Sequence, residues 1–253
     1  MKEILLSAEG LCKQFRQGTG KEQILKEIDV DIYKGDFTVV MGSSGAGKST
    51  LLYALSGMDG ITAGKVLYKG EEISRYKERQ MAHLRSSEFG FVFQQTHLVS
   101  SLSLFENVAV AGYLDHGKDT KAVRRKAEEL LKRMGVEKAK DRFPSEVSGG
   151  EAQRAAIARA VINGPGILFA DEPTGALNKR STDEVLDLLT ELARNGQSIL
   201  MVTHDIRAAV RGTRVLYLED GKILDEMEMG IYRETEAKER EKRLSEWLSA
   251  LAW

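Results

Sequence analysis

A single cysteine, Cys12, stands in 253 residues. No disulfide can form within the chain, a composition that fits a reducing cytosol. Charge imbalance is missing as well: 37 Lys and Arg face 38 Asp and Glu, a net charge of −1, so nothing global steers the chain towards nucleic acid or an anionic membrane. No stretch approaches the ~18 consecutive apolar residues of a spanning helix. The opening residues 1–10 carry an early acid and too short an apolar run for a signal peptide. The expectation is a soluble chain that another polypeptide would have to hold at any membrane. Internal repeats and long Pro/Gly/Ser linkers are absent too. What is present is 42% hydrophobic and 30% charged residues, enough for a core and suited to one α/β unit with an inserted subdomain.

Short apolar runs alternate with helical patterns. Phe37–Met41, Phe89–Phe93, Ile167–Ala170 and Ser198–Val202 read as strands buried on both faces of a parallel sheet. Each ends in polar residues, where open α/β sheets bind ligands. Ile28, Val30 and Ile32 alternate with charges, which predicts an antiparallel strand with one wet face. Val215–Leu218 and Lys222–Leu224 flank Asp220-Gly221 as a hairpin. Between the second and third buried strands lies a mostly helical insert. Its clearest helix, Lys121–Met134, gathers Val123, Ala127, Leu130, Leu131 and Met134 on one face and sets Glu128 before Lys132 and Glu129 before Arg133 on the other.

The tail differs in kind. Arg233–Glu246 alternates basic and acidic residues, then Leu244, Trp247, Leu248 and Leu251 form a narrow helical stripe before the chain ends at Trp253. The favoured reading is a solvated helix docking that stripe on its own domain. A contact with a partner chain is the sharper alternative. The balanced charges argue against a lipid-binding helix.

Gly42-Ser43-Ser44-Gly45-Ala46-Gly47-Lys48-Ser49, followed by Thr50, matches the phosphate-loop pattern between a strand and a helix. Glycines let backbone N–H groups turn inward around phosphates, and the helix N-terminus adds its dipole. Lys48 would reach the β- and γ-phosphates and the Ser49 hydroxyl would bind Mg²⁺. The loop alone means a nucleoside triphosphate; kinases, GTPases and helicases share it. Asp171, at the end of the apolar run 167–170, fits a second Mg²⁺ contact, and Glu172 can polarise an attacking water. Gln94 follows one strand and could ligate Mg²⁺ or water; His204 follows another and could hydrogen-bond the γ-phosphate. A lone Gln or His at a strand end is usually structural, but here several strand ends each supply one phosphate- or metal-competent group. The fold class is therefore α/β: a P-loop NTPase core with a mainly parallel sheet, an antiparallel β subdomain and an inserted helical subdomain.

Pro144–Glu151, with Ser148-Gly149-Gly150-Glu151 before helical Ala152–Ile162, resembles the signature motif of ABC ATPases. Walker A at 42–49, a Q-loop at Gln94, Walker B at 167–172 and a switch histidine at His204 complete the set in the family's order, over residues 3–229 or so. The resemblance implies that Phe15 stacks on adenine. It also implies that the signature faces the phosphate loop of a second subunit across ATP, so the chain works as a homodimer. Chemically that is sensible: a hydroxyl, two glycines and a helix N-terminus present donors to an anion. Two positions depart from the commonest pattern. Glu151 replaces a frequent Gln, and Asn178 stands where the D-loop usually ends in Asp, which bears on turnover and on communication between sites.

Leu84–Gln94, Leu102–Val108 and Ala170–Leu177 are similar to one subgroup, that of lipoprotein-release, macrolide-efflux, cell-division and bacitracin-resistance-type peptide ATPases. The tail looks closer to the antimicrobial-peptide branch. The resemblance implies an ABC ATPase domain over 1–230. Its nucleotide-binding core is about 1–94 and 163–230, its helical subdomain about 95–162, with a charged helical extension at 231–253. It implies ATP and Mg²⁺ as ligands, a permease partner, no nucleic acid, and a place on the cytoplasmic face of the membrane. Export or detoxification of an antimicrobial peptide, lipid-linked or hydrophobic substrate is the expected work. An ATPase regulating a cell-envelope or division partner without transport remains the alternative. A soluble ABC ATPase acting on DNA or ribosomes is disfavoured, since the chain has neither a second cassette nor a coiled-coil or metal-hook insert.

Overall fold

The computed structural model describes residues 2–17, 20–114 and 119–251; Trp253 lies outside the described residues. In chain order the elements are β1 (Ile4–Gln17), β2 (Gly20–Tyr33), β3 (Phe37–Met41), α1 (Lys48–Leu55), β4 (Ala63–Tyr68), β5 (Glu71–Glu72) and α2 (Glu78–Ser87). There follow β6 (Phe89–Phe93), α3 (Leu104–Tyr113), α4 (Thr120–Arg133), α5 (Gly149–Val161), β7 (Ile167–Asp171) and α6 (Lys179–Arg194). The chain closes with β8 (Ser198–Val202), α7 (Ile206–Ala209), β9 (Arg214–Glu219), β10 (Lys222–Glu228) and α8 (Ala237–Ala250). These elements form two compact units, Met1–Met81 with Leu192–Trp253, and Ala82–Glu191.

The first unit holds an antiparallel sheet in the order β2-β1-β4-β5. Ile28, Val30 and Ile32 of β2 are buried, as their alternation predicts. β1 shows no such alternation: it buries Leu5 and Leu6 in succession and changes register past Ala8. Bulged strands lose the period-two signature, because the extra residue swaps faces. Elsewhere in this unit β3 runs parallel to β8 on one side and to β9 on the other, and β10 pairs antiparallel with β9. Both β3 and β8 are buried at every position, which is why they read as continuous apolar runs. The turn from β9 to β10 is the two-residue loop Asp220-Gly221, with φ of 46° and 74°; two left-handed residues make the primed turn that suits strand twist.

Helix α8 docks its stripe as expected, with Leu244 and Leu248 fully buried. The reading of its charges as solvated fails at one residue. Arg240 is only 3% exposed and donates to the carbonyls of Val210, Gly212 and Met229 at 2.6–2.9 Å. A charge pattern cannot register this, because main-chain carbonyls are the acceptors that receive the guanidinium.

In the second unit β6 and β7 are parallel and in register, Phe93 beside Asp171. Phe89 and Phe91 pack their rings on Phe169 at 5.2 and 5.5 Å. Helices α3, α4 and α5 pack together. Val123, Ala127 and Leu131 are the buried face of α4 and Met134 its C-cap. Of the charges expected to pair along α4, Glu128 binds Lys140 and Arg133 binds Glu191, both on other elements. Helix α5 buries Ala152, Ala155, Ala156 and Ala158, small residues that let neighbouring backbones approach. A capping box, Ser103 with Glu106, starts α3.

Candidate functional site

In the first unit the phosphate loop leaves the end of β3 and enters α1. Gly45 and Gly47 have φ of 86° and 102°, a region that costs other residues free energy. The loop closes on itself through Ala46 N–H to Ser43 O at 3.2 Å. Lys48 Nζ donates to Gly42 O and Ser43 O, both at 2.8 Å, so the ammonium is folded over the loop and held by its own carbonyls. Ser49 and Thr50 sit in the first turn of α1, and Ser44 and Gly45 are exposed at the loop's tip. Phe15, on β1, is 42% exposed with Lys13 Nζ 4.7 Å from its ring centroid. That lysine is itself tied to Asp59 at 2.7 Å and to Gly60 O at 2.6 Å.

His204 belongs to the same unit. β8 pairs in parallel with β3, Val202 beside Val40, and Thr203 N–H donates to Val40 O at 3.1 Å. Parallel neighbours end on the same side, so the histidine and the phosphate loop emerge from adjacent strand ends. His204 is exposed and stands immediately before Asp205, whose carboxylate caps α7 by accepting from Arg207 N–H at 2.9 Å.

Gln94, Asp171 and Glu172 share the second unit. They follow or end β6 and β7, whose register sets Phe93 against Asp171. Asp171 is buried. Glu172 has φ of 46°, unusual for a residue with a side chain, and such outliers cluster at functional positions. Gln94 is exposed and packs on Gly175: a Cβ on that glycine would lie 2.9 Å from Gln94 Nε2. Among the described residues no three or more His, Cys, Asp and Glu converge as a metal cage. Gln94 and Asp171 here, and Ser49 in the first unit, each offer a hard oxygen donor, the chemistry that suits an ion such as Mg²⁺.

The signature residues begin α5. Ser148 and Gly149 are exposed and Gly150 is buried, where a Cβ would meet Ser181 Oγ at 2.5 Å. The expected free donors differ in this structure. Ser148 N–H and Oγ donate to the Glu151 carboxylate at 2.9 and 2.7 Å, and Glu151 N–H donates back to Ser148 Oγ at 3.3 Å. Glu151 therefore completes a capping box. The Ser148 hydroxyl and main-chain hydrogen bonds hold its carboxyl below the usual carboxylate range. Asn178 also caps a helix: its Oδ1 accepts from Ser181 N–H at 3.0 Å at the start of α6. Asn and Asp cap equally well, so this local task is indifferent to the departure.

Several residues were passed over by sequence reasoning. Gln153 on α5, buried, donates to Phe93 O at 2.9 Å and Pro173 O at 2.8 Å, bridging the strand before Gln94 and the turn after Glu172. Arg159 on the same helix donates to Thr96 O and His97 O at 2.7 and 2.6 Å; burial lowers its pKa. Asn107 holds the segment beyond, accepting from Val99 N–H at 2.7 Å and donating to Val99, Leu102 and Ser103 carbonyls. In the first unit Glu219 accepts from Ser43 Oγ at 2.9 Å and from Tyr217 O–H at 3.0 Å. Burial first, and that hydrogen bond second, push Tyr217 up to about 12. No periodicity marks such polar bridges: Gln153 and Arg159 stand six apart on α5 and share no helical repeat.

The family model described as ABC transporter matches residues 25–175. Two relatives, both macrolide export ATP-binding/permease proteins MacB, are 41% identical. The Wolinella succinogenes protein aligns over 90% of this chain and 35% of its own length, and the Bradyrhizobium diazoefficiens protein over 89% and 34%. The chain thus spans about a third of the length of the curated relatives it matches. Among solved structures, the dimeric bacterial ABC transporter cassette MJ0796 is 33% identical with a TM-score of 0.84, covering 90% of this chain and 100% of that one. The same cassette in a post-hydrolysis dimer bound to ADP and Pi also scores 0.84, at 32% identity and the same coverage.

Proposed function

This chain belongs to the ABC transporter family, and from that premise we propose that two copies close around Mg-ATP, hydrolyse it and drive a membrane permease. The observation that carries the reading is the pair of neighbouring parallel strand ends that present the phosphate loop and His204 together. Lys48, now parked on Gly42 O and Ser43 O, exchanges those carbonyls for the β- and γ-phosphates. The N–H groups of residues 45–50 and the start of α1 hold the remaining oxygens, and Phe15 takes the adenine. Ser49, Gln94 and Asp171 would supply oxygens to Mg²⁺, whose charge would offset that of the phosphates. Glu172 accepts a proton from the attacking water, a task worth ~10²–10⁴-fold in rate. His204 hydrogen-bonds the γ-phosphate. Ser148, Gly149, Gly150 and Glu151 of a second copy would complete the γ-phosphate's surroundings, with Asn178 in the loop between subunits. The dimeric assemblies of MJ0796 support this arrangement.

No described helix is long and apolar enough to cross a membrane. From the similarity to macrolide export ATP-binding/permease proteins, the reading places the cassette on the cytoplasmic face, beneath a permease that is either a separate chain or a further part of the same polypeptide. Val99, Val110, Tyr113 and Leu114, on α3 and just outside its ends, are exposed apolar residues suited to such docking. Export of a hydrophobic, lipid-linked or antimicrobial-peptide substrate is supported by the 41% identity to macrolide export proteins. ATPase assays test the catalytic part: Mg²⁺-dependent phosphate release should vanish with EDTA and in Lys48→Ala. Nucleotide affinity unchanged in Lys48→Ala would show the loop is misread.

A further inference from the structure

The segment that carries His204 is fixed at both of its ends. At the near end Thr203 N–H binds Val40 O, and Thr203 Oγ1 accepts from Asp205 N–H at 3.1 Å. Then comes α7, only four residues long, and the turn Val210–Gly212. At this far end Arg240 of α8 takes hold. Its Nε donates to Val210 O at 2.9 Å and its Nη2 to Gly212 O at 2.6 Å, while Nη1 holds Met229 O at 2.7 Å. Behind the turn stands β3: a Cβ on Gly212 would lie 2.7 Å from Val39 Cγ2 and 3.0 Å from Phe37 O. In front stands Tyr232, whose ring centroid lies 4.5 Å from the Arg211 guanidinium and 5.6 Å from that of Arg240. Gly212 thus packs closely on β3, and Arg211 lies over the Tyr232 ring.

Docking α8 does not require a cation. Leu244 and Leu248 already bury its apolar stripe, and burying a guanidinium among carbonyls is costly unless its donors are satisfied. A planar fork adds direction, because it fixes the orientation of the carbonyls that it holds. Two of those carbonyls close the turn after α7, whose last groups lack intrahelical partners. Only residues 205–209 separate His204 from Val210, so a displacement of the turn has few backbone torsions over which to relax before it reaches the histidine.

We propose that Arg240 is a positioning residue for His204, holding the far end of its segment so that the imidazole meets the γ-phosphate in one orientation. The inference rests on the reading of His204 given above. It is tested by a double-mutant cycle on the full chain, reading kcat and KM for ATP in wild type, His204→Ala, Arg240→Met and the double variant, all below their melting temperatures. A misplaced catalytic group costs rate more than binding, so Arg240→Met should lower kcat about tenfold and leave KM within about twofold. In the His204→Ala background the same substitution should change kcat by less than about twofold. Unchanged kcat in Arg240→Met, or losses that multiply in the double variant, would overturn the proposal. Arg240→Lys, which keeps the charge on a single nitrogen but loses the planar fork, carries the cycle if the methionine variant does not fold, with kcat between the two. An active wild type whose turnover survives His204→Ala intact would remove the role of His204, and the brace with it. With His204→Ala impaired, the cycle alone decides the brace.

Discussion

Gly42→Ala perturbs the phosphate loop without deleting any group that touches a phosphate. A Cβ at this position would come within 2.0 Å of Leu218 O and 3.3 Å of Ala46 Cβ. The carbonyl belongs to β9, which is hydrogen-bonded to β3 with Met41 beside Tyr217, so it cannot swing aside. Restoring an ordinary contact of at least 3.4 Å displaces the loop or the strand by more than about 1 Å in an interior of low compressibility. Overpacking of this kind costs about 1–3 kcal/mol of stability, which lowers Tm by about 2–4 °C for each kcal/mol in a chain of this size. A loop misplaced by about 1 Å costs about 10²-fold in kcat/KM. Gly45→Ala is the control: nothing lies within 4 Å of its Cβ, leaving a left-handed penalty of about 1–2 kcal/mol. Titration with a fluorescent ATP analogue, ATPase rates and calorimetry would read all three quantities. A kcat/KM in Gly42→Ala within twofold of wild type, or a larger loss in Gly45→Ala, would refute the steric argument.

Acid should weaken the start of α5. The Glu151 carboxyl titrates below its unfolded value, so its contribution is present above about pH 4 and lost as pH falls through the folded pKa. Hydrogen-exchange protection of the Glu151 and Ala152 amides, corrected for intrinsic rate, should fall there in wild type and already be low at neutral pH in Ser148→Ala, which loses about 1 kcal/mol of capping; equal protection in both would contradict the cap. Truncation before Tyr232 should destabilise the chain, since it removes the burial of Leu244 and Leu248, at about 1.5–3 kcal/mol for each side chain. A truncated chain with unchanged Tm would show that α8 is peripheral.

What could be read from residue order was whatever depends on local pattern. β3, β6, β7 and β8 are short apolar runs, followed by the loop to Lys48 and by Gln94, Glu172 and His204, with Asp171 ending β7, so the strands and the placement of these side chains were legible. The β9–β10 turn announced itself by Asp220-Gly221. β1 did not, because its register shifts break alternation, and β5, with two residues, is too short to show a period. The polar bridges made by Gln153, Arg159, Asn107 and Arg240 were illegible for a common reason. Their acceptors are largely main-chain carbonyls, which every residue type carries. The state of the signature was half legible: its donors could be counted, but their capture by Glu151 depends on a helix start that only the folded chain defines.

The direct test of the central claim is the association state of Glu172→Gln with saturating Mg-ATP, measured by light scattering on a sizing column. Loss of the proton acceptor leaves binding intact and blocks hydrolysis, so the account predicts an ATP-dependent dimer that Lys48→Ala cannot form. A Glu172→Gln chain that binds ATP and remains monomeric would contradict it.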